Sequence, residues 1–227
     1  MSRIITLNTK IVVYTTSILI FVGTAFFYFS EQQSILPAHQ TTFGKVTTAM
    51  FSSVTARTAG FNTFDFSDMT VPGLLVMVLL MWIGASPAST GGGIKTTTFA
   101  LATLNLFSLA KGKPNIEIGT RRVPKEALQK AFAIMVISLI SIGMGILLIL
   151  IFEPQLTLLQ VAFESFSAFS TVGLSMGITP GLSTNSKIVV ILLMFFGRIG
   201  VMNLMIGILR RRKTTQYTYP KENILIT

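Results

Sequence analysis

The 227-residue chain is 51% hydrophobic and only 11% charged, too few polar residues to cover a soluble globule, so it reads as an integral membrane protein. It has no cysteine, which excludes disulfides, thiolate catalysis and sulfur-ligated metal sites, and its single histidine, His39, cannot build a zinc site alone and reads as a solvated loop residue. The formal net charge of +10 raises the question of nucleic acid, but no aromatic-basic interleaving or nucleic-acid motif accompanies it.

The basic residues are distributed in a way that fits a membrane topology. Thirteen of the eighteen fall in three clusters: Arg3 and Lys10; Lys111, Lys113, Arg121, Arg122, Lys125 and Lys130; and Arg210, Arg211, Arg212, Lys213 and Lys221. Hydrophobic blocks separate the clusters, so the positive-inside tendency puts both termini and the 111–130 connection in the cytoplasm.

In chain order, residues 11–29 form the first run long enough to cross about 30 Å of hydrocarbon as a helix. Arg3 and Lys10 ahead of it suggest a signal peptide, but no small-x-small cleavage site follows and the run is long for one. Residues 43–57 are apolar but too short to span, and read as a re-entrant helix. In 71–110 two apolar stretches, VPGLLVMVLLMWIG and TFALATLNLFSLA, flank the polar GASPASTGGGIKTT, the pattern of one span broken in the middle. After the basic connection come a span at 131–152, a second short helix at 157–169 and a last span at 188–209. The residues from 214 to 227 read as a cytoplasmic tail.

The chain resembles itself at an offset of 113 residues. Thr58-Ala59-Gly60-Phe61-Asn62 falls on Thr171-Val172-Gly173-Leu174-Ser175, and Ala49 and Ser52 fall on Ala162 and Ser165. Each unit runs span, short helix, Thr-x-Gly loop, span, so both copies are expected in the same orientation about an axis along the membrane normal. Both loops then open on the outer side, with Asp65, Asp68, Glu31 and Glu153.

Non-helical backbone at membrane depth survives only where it is buried in protein or lines a water-filled cavity. Glycine allows dihedrals that turn successive carbonyls toward one axis, and rings of carbonyls can replace a cation's hydration shell. An alkali-cation filter at 58–62 and 171–175 is therefore the functional reading. The plainer one, that Gly60 and Gly173 merely end short helices, suits a single loop better than two matched copies.

The stretches ARTAGFNT (56–63), GASPASTGGGIKTTTF (84–99), STVGLS (170–175) and FGRIGVMNL (196–204) together resemble the Trk/Ktr/HKT superfamily of potassium transporters, and the ending YPKENILIT is similar to the Ktr-type membrane subunit. The resemblance implies an all-α integral membrane fold of tandem, potassium-channel-like M1-P-M2 repeats with re-entrant pore helices and filter loops. On that reading 1–110 is one repeat, 111–130 a cytoplasmic connection and 131–213 another repeat. Members of the superfamily carry four such repeats, and the chain resembles the third and fourth.

The resemblance further implies that 84–95 is an intramembrane gating loop beneath the filter, with Gly84, Ala85, Ser86, Ser89, Thr90, Gly91, Gly92, Gly93 and Lys95 as gate residues. Arg198 corresponds to the superfamily's pore-facing arginine. At the 113-residue offset Gly197-Arg198 falls on Gly84-Ala85, so carbonyls of 84–95 are the expected partners of the Arg198 guanidinium. A purely structural role for Arg198 uses the same contacts. GGGIKTTT is no phosphate loop, because Ile94 separates Gly93 from Lys95 and no strand precedes it, so an enzyme is not expected. Glu164, in the second short helix, is expected to support that helix by hydrogen bonds.

The function so implied is potassium uptake across the cell membrane, with K+ as transported ion, Na+ as activator in some members, and no cofactor. The implied partners are the first two repeats, a second copy in a homodimer, a cytoplasmic nucleotide-binding regulatory subunit of the KtrA/TrkA type, and membrane lipid. The competing class is a non-conducting assembly or regulatory half-subunit that retains pore-like repeats.

Overall fold

The computed structural model describes residues 6–38, 40–112, 116–118 and 121–200. The expectations for His39, for Arg3 and Lys113, for the basic cluster at 210–213, for the tail and for the last span beyond residue 200 lie outside these residues. The described chain is helical: α1 (Leu7–Ser30), α2 (Thr42–Thr55), α3 (Val71–Trp82), α4 (Thr96–Ala110), α5 (Lys125–Phe152), α6 (Leu158–Ser170) and α7 (Thr184–Ile199). A two-residue antiparallel ladder, β1 (Glu117–Ile118) with β2 (Arg121–Arg122), departs from the all-α expectation within the basic connection.

Helix lengths follow the apolar pattern. α1 and α5, with 24 and 28 residues, are long and apolar enough to cross a membrane. α2 and α6 have 14 and 13 residues, and at about 1.5 Å per residue each reaches only part of the way. The apolar run of 71–110 is divided into α3 and α4 by residues 83–95. α5 begins at Lys125, inside the stretch 111–130 read as connection, because Lys125, Glu126 and Lys130 are good helix formers and Pro124 supplies an extended N-cap.

Hydroxyl residues start most of these helices. Thr6, Thr41, Thr70, Thr157 and Ser183 each accept a backbone N–H in the first turn, and Thr157 forms a reciprocal capping box with Gln160. The core has two parts. Phe27, Leu74, Met77, Leu80, Met81 and Phe163 join α1, α3 and α6, while Ile142, Ile149, Val161, Phe169, Val190 and Leu193 join α5, α6 and α7.

Two buried glutamates fasten the long helices to the inner ones. Glu31 caps the C-terminal end of α1 and is fully buried; it accepts from Thr70 Oγ1 at 2.6 Å and Thr70 N at 3.2 Å, at the N-cap of α3. Glu153 does the same beyond α5, accepting from Ser183 N at 2.6 Å, Gln155 Nε2 at 2.7 Å and Ser186 Oγ at 3.2 Å, at the start of α7. Thr70 and Ser183 are separated by the same 113-residue offset as the loops. A carboxylate at a helix N-terminus meets both free N–H groups and the positive end of the dipole, so the contact is favourable twice over.

The Ser183 backbone N–H, followed by the Ser183 and Gln155 side chains, pulls the Glu153 carboxyl from its usual 4.5 down to about 2. Ionised Glu153 therefore stabilises the fold fully above pH 4.5, and that contribution disappears as pH falls through about 2. Thermal melts of detergent-solubilised protein from pH 6 downward should show an acid-side loss that Glu153→Gln reduces; equal acid-side losses in the two proteins would contradict the assignment.

Candidate cation-filter site

Each half-length helix ends in a loop of the same unusual backbone. Thr58 and Gly60 have φ of +64° and +76°, and Thr171 and Gly173, their counterparts at the 113-residue offset, have +53° and +92°. A threonine at positive φ is uncommon and strained, so a pair at matching positions indicates a conformation enforced by its surroundings. The enforcement is visible in the hydrogen bonds. Ala59 N and Gly60 N both donate to Thr55 O, at 3.2 and 3.3 Å, while Val172 N donates to Ser167 O at 2.9 Å and Thr171 N to Ala168 O at 3.0 Å.

With the N–H groups drawn back onto α2 and α6, the carbonyls are left over. Among the described residues those of Thr58, Ala59, Gly60, Asn62, Thr171, Val172, Gly173, Leu174 and Ser175 accept no hydrogen bond. Phe61 is the exception within the two stretches, since its carbonyl accepts from Thr55 Oγ1 and so turns back to the helix. Phe61 and Asn62 are exposed.

The loops touch each other. A Cβ added at Gly60 would lie 2.1 Å from Val172 O, and one at Gly173 would lie 4.0 Å from Gly60 Cα. Beyond them Asn62, Asp65, Gly173, Ser175 and Thr179 line an open basin of about 560 Å³. The Asp65 carboxylate caps Ser67 N at 2.9 Å at its edge.

The glycine-rich break lies against both loops. Ile83 and Ile94, buried and bridged through their backbones, close its neck, and the tip turns at Ala88 with φ +66°. Gly92 N donates to Thr171 Oγ1 at 2.7 Å, and a Cβ at Gly91 would lie 2.5 Å from Thr58 Oγ1. Gly84 is packed on Gly92, and Gly93 on Ser170 and the Trp82 carbonyl. Lys95 Nζ donates to Gly91 O at 2.5 Å. Ala85 O accepts Thr96 N at 3.4 Å, and Ser89 Oγ closes the tip on Ser86 O at 2.6 Å, with Thr90 exposed.

Arg198 departs from expectation. It is exposed in the last turn of α7 and makes no hydrogen bond to 84–95 among the described residues. Its neighbour Gly197 takes the inward position instead, where an added Cβ would lie 1.6 Å from Phe169 O. One residue is about 100° of helix rotation, which is enough to turn Arg198 away from the break. The glutamate clamps and the contacts of Gly60 and Gly197 were not foreseen from sequence. The matched spacing of Thr70 and Ser183 was the available signal.

Residues 3–216 match the model of the TrkH family, described as a cation transport protein. The chain is 34% identical to the potassium/sodium uptake protein NtpJ of Enterococcus hirae, over 98% of its own length and 50% of that protein's. It is 38% identical to the Ktr system potassium uptake protein B of Vibrio alginolyticus, over 96% of the chain and 48% of that protein. The crystal structure of the potassium transporter TrkH from Vibrio parahaemolyticus is similar in fold, with a TM-score of 0.65 and 21% identity over 89% of this chain and 44% of that one. The chain thus spans about half the length of the curated relatives it matches.

Gly197→Ala is expected to cost about 3 kcal/mol or more, since overpacking costs of 1–3 kcal/mol are usual even where side chains can yield and here the obstacle is backbone. Gly143, on α5 with nothing within 4 Å of an added Cβ, is the control. Gly143→Ala should raise stability by about 0.5–1 kcal/mol. Thermal melts of both variants check the contrast, and equal effects would refute the packing described.

Proposed function

The chain belongs to the TrkH family of cation transport proteins, and on that premise we propose that it supplies two sides of a potassium uptake pathway across the cell membrane. The observation that carries this reading is the pair of loops at 58–62 and 171–175, matched in backbone, in contact at Gly60 and Val172, with nine carbonyls left without hydrogen bonds among the described residues. Unpaired carbonyls in hydrocarbon cost several kcal/mol each, so an arrangement that keeps them free implies a use for them, and dehydrated cations provide one. The matching 3₁₀ turns Phe66–Asp68 and Thr179–Gly181, and the starts of α3 and α7, keep the same 113-residue offset and support a tandem M1-P-M2 organisation.

In this reading α2 and α6 are re-entrant pore helices whose C-terminal dipole ends favour a cation at the loops. The glycine-rich segment 84–95 is the gate. It occupies the underside of both loops, and conduction requires that Gly91 and Gly92 withdraw from Thr58 and Thr171. Arg198 is exposed among the described residues, so its contribution as an electrostatic barrier depends on what packs against it.

Two loops close half of a four-sided filter, and the remaining two sides come from repeats outside the 227 residues. A homodimer, anionic lipid and a nucleotide-binding regulatory subunit at the basic cytoplasmic segments complete the proposal, with both termini cytoplasmic. Potassium is the proposed transported ion and sodium the proposed activator; the names of the relatives give potassium uptake and, for NtpJ, potassium/sodium uptake. The half-length match also admits a second reading, a non-conducting assembly or regulatory half-subunit.

Rubidium uptake and potassium-limited growth in bacteria lacking potassium uptake distinguish the two. The chain paired with a matching N-terminal half should restore both, and Gly173→Asp, which forces a side chain onto φ +92° and a carboxylate into the loop, should abolish them. Membrane-inserted protein with no uptake in any pairing would reject conduction.

A further inference from the structure

We propose that Glu164 is a positioning residue that sets the cation preference of the second loop through Thr179 and Ser175, an inference that rests on the cation-uptake reading above. Glu164 sits on α6 and is 6% exposed. Thr179 Oγ1 donates its proton to Glu164 Oε1, which commits the Thr179 hydroxyl and leaves its oxygen able only to accept. Ser175 Oγ, 3.0 Å away, must then be the donor to Thr179, and Ser175 in turn accepts Gly177 N at 3.0 Å. The chain of donation therefore runs in one direction, from Gly177 through Ser175 and Thr179 to the carboxylate. Ser175 is the last residue of the 171–175 stretch, so the carboxylate on α6 fixes the end of the loop read above as part of the filter.

The first half of the chain shows that the backbone does not need this device. The positions matching Glu164, Thr179 and Ser175 at the 113-residue offset are Phe51, Phe66 and Asn62. There the 3₁₀ turn and the positive-φ pair are the same, yet Phe66 is backed by apolar packing, with its ring 5.6 Å from that of Phe163. The carboxylate also comes at a cost, because Glu164 Oε2 is buried with no hydrogen-bond partner among the described residues. A costly polar chain on one side, where phenylalanine serves on the other, is explained by what it does to Ser175 and the basin wall rather than by folding.

The test uses rubidium uptake and its competition by sodium in the transport-competent pairing, with membrane abundance measured for each variant. Thr179→Val breaks the chain at its middle, Glu164→Leu removes its end, and Thr179→Ser preserves it. A hydrogen bond of ordinary strength corresponds to about threefold to tenfold, so the first two should shift rubidium KM or sodium competition by that factor, with Thr179→Ser within about twofold of wild type. If Thr179→Val, together with Glu164→Leu where that variant inserts, keeps wild-type preference, the inference is overturned while the uptake reading stands. If wild-type protein takes up no rubidium in any pairing, the uptake reading fails and this inference with it.

Discussion

The structure depends on backbone approaching backbone at distances only glycine permits. Gly60 lies under the Val172 carbonyl, Gly92 against the Phe169 and Thr171 region, and Gly197 against Phe169, so one loop, the broken span and the last helix all converge on the end of α6. A side chain at any of these points would force these parts away from one another. The glycines of the break are therefore packing surfaces as much as turns, and the two threonines at positive φ are held by the neighbours that this packing brings.

Around this contact the forces divide by type. Apolar packing of α3 against α1 and α6, and of α6 and α7 against α5, sets the helices at their crossings. Glu31 and Glu153 then fix the height of α3 and α7 by holding their N-termini at the ends of α1 and α5. Height matters because α3 leads directly into the glycine-rich break and α7 carries Gly197. A slip of either helix would move the segment that lies against Thr58 and Thr171. Interactions at one end of α3 and of α7 thus position contacts at the other end, about a helix length away.

Much of this was legible in the sequence, and the limits were physical. The half-length helices, the division of 71–110 and the paired Thr-x-Gly loops are local patterns, and local patterns survive without tertiary information. The helix start at Lys125 was hidden because basic residues obey both topology and helix propensity, and the first consideration suggested a connection. The orientation of Arg198 was hidden for another reason: one residue of helical rotation exchanges it with Gly197, and an offset between spans fixes depth but not azimuth. The glutamate clamps join residues 39 and 30 positions apart, where hydroxyl and carboxylate are visible in sequence but their meeting is not.

The absence of cysteine from the chain makes its central contact directly testable. A Cβ at Gly91 would lie 3.1 Å from Thr58 Cβ, close to the separation of about 3.5–4.5 Å at which disulfides form. The double variant Thr58→Cys, Gly91→Cys, in cells where the paired transporter takes up rubidium, should cross-link within one chain on mild oxidation. Uptake should stop and return on reduction, because the glycine-rich segment can then leave the loop. Failure to cross-link, or uptake that continues through the cross-linked protein, would contradict a gate that lies against the filter.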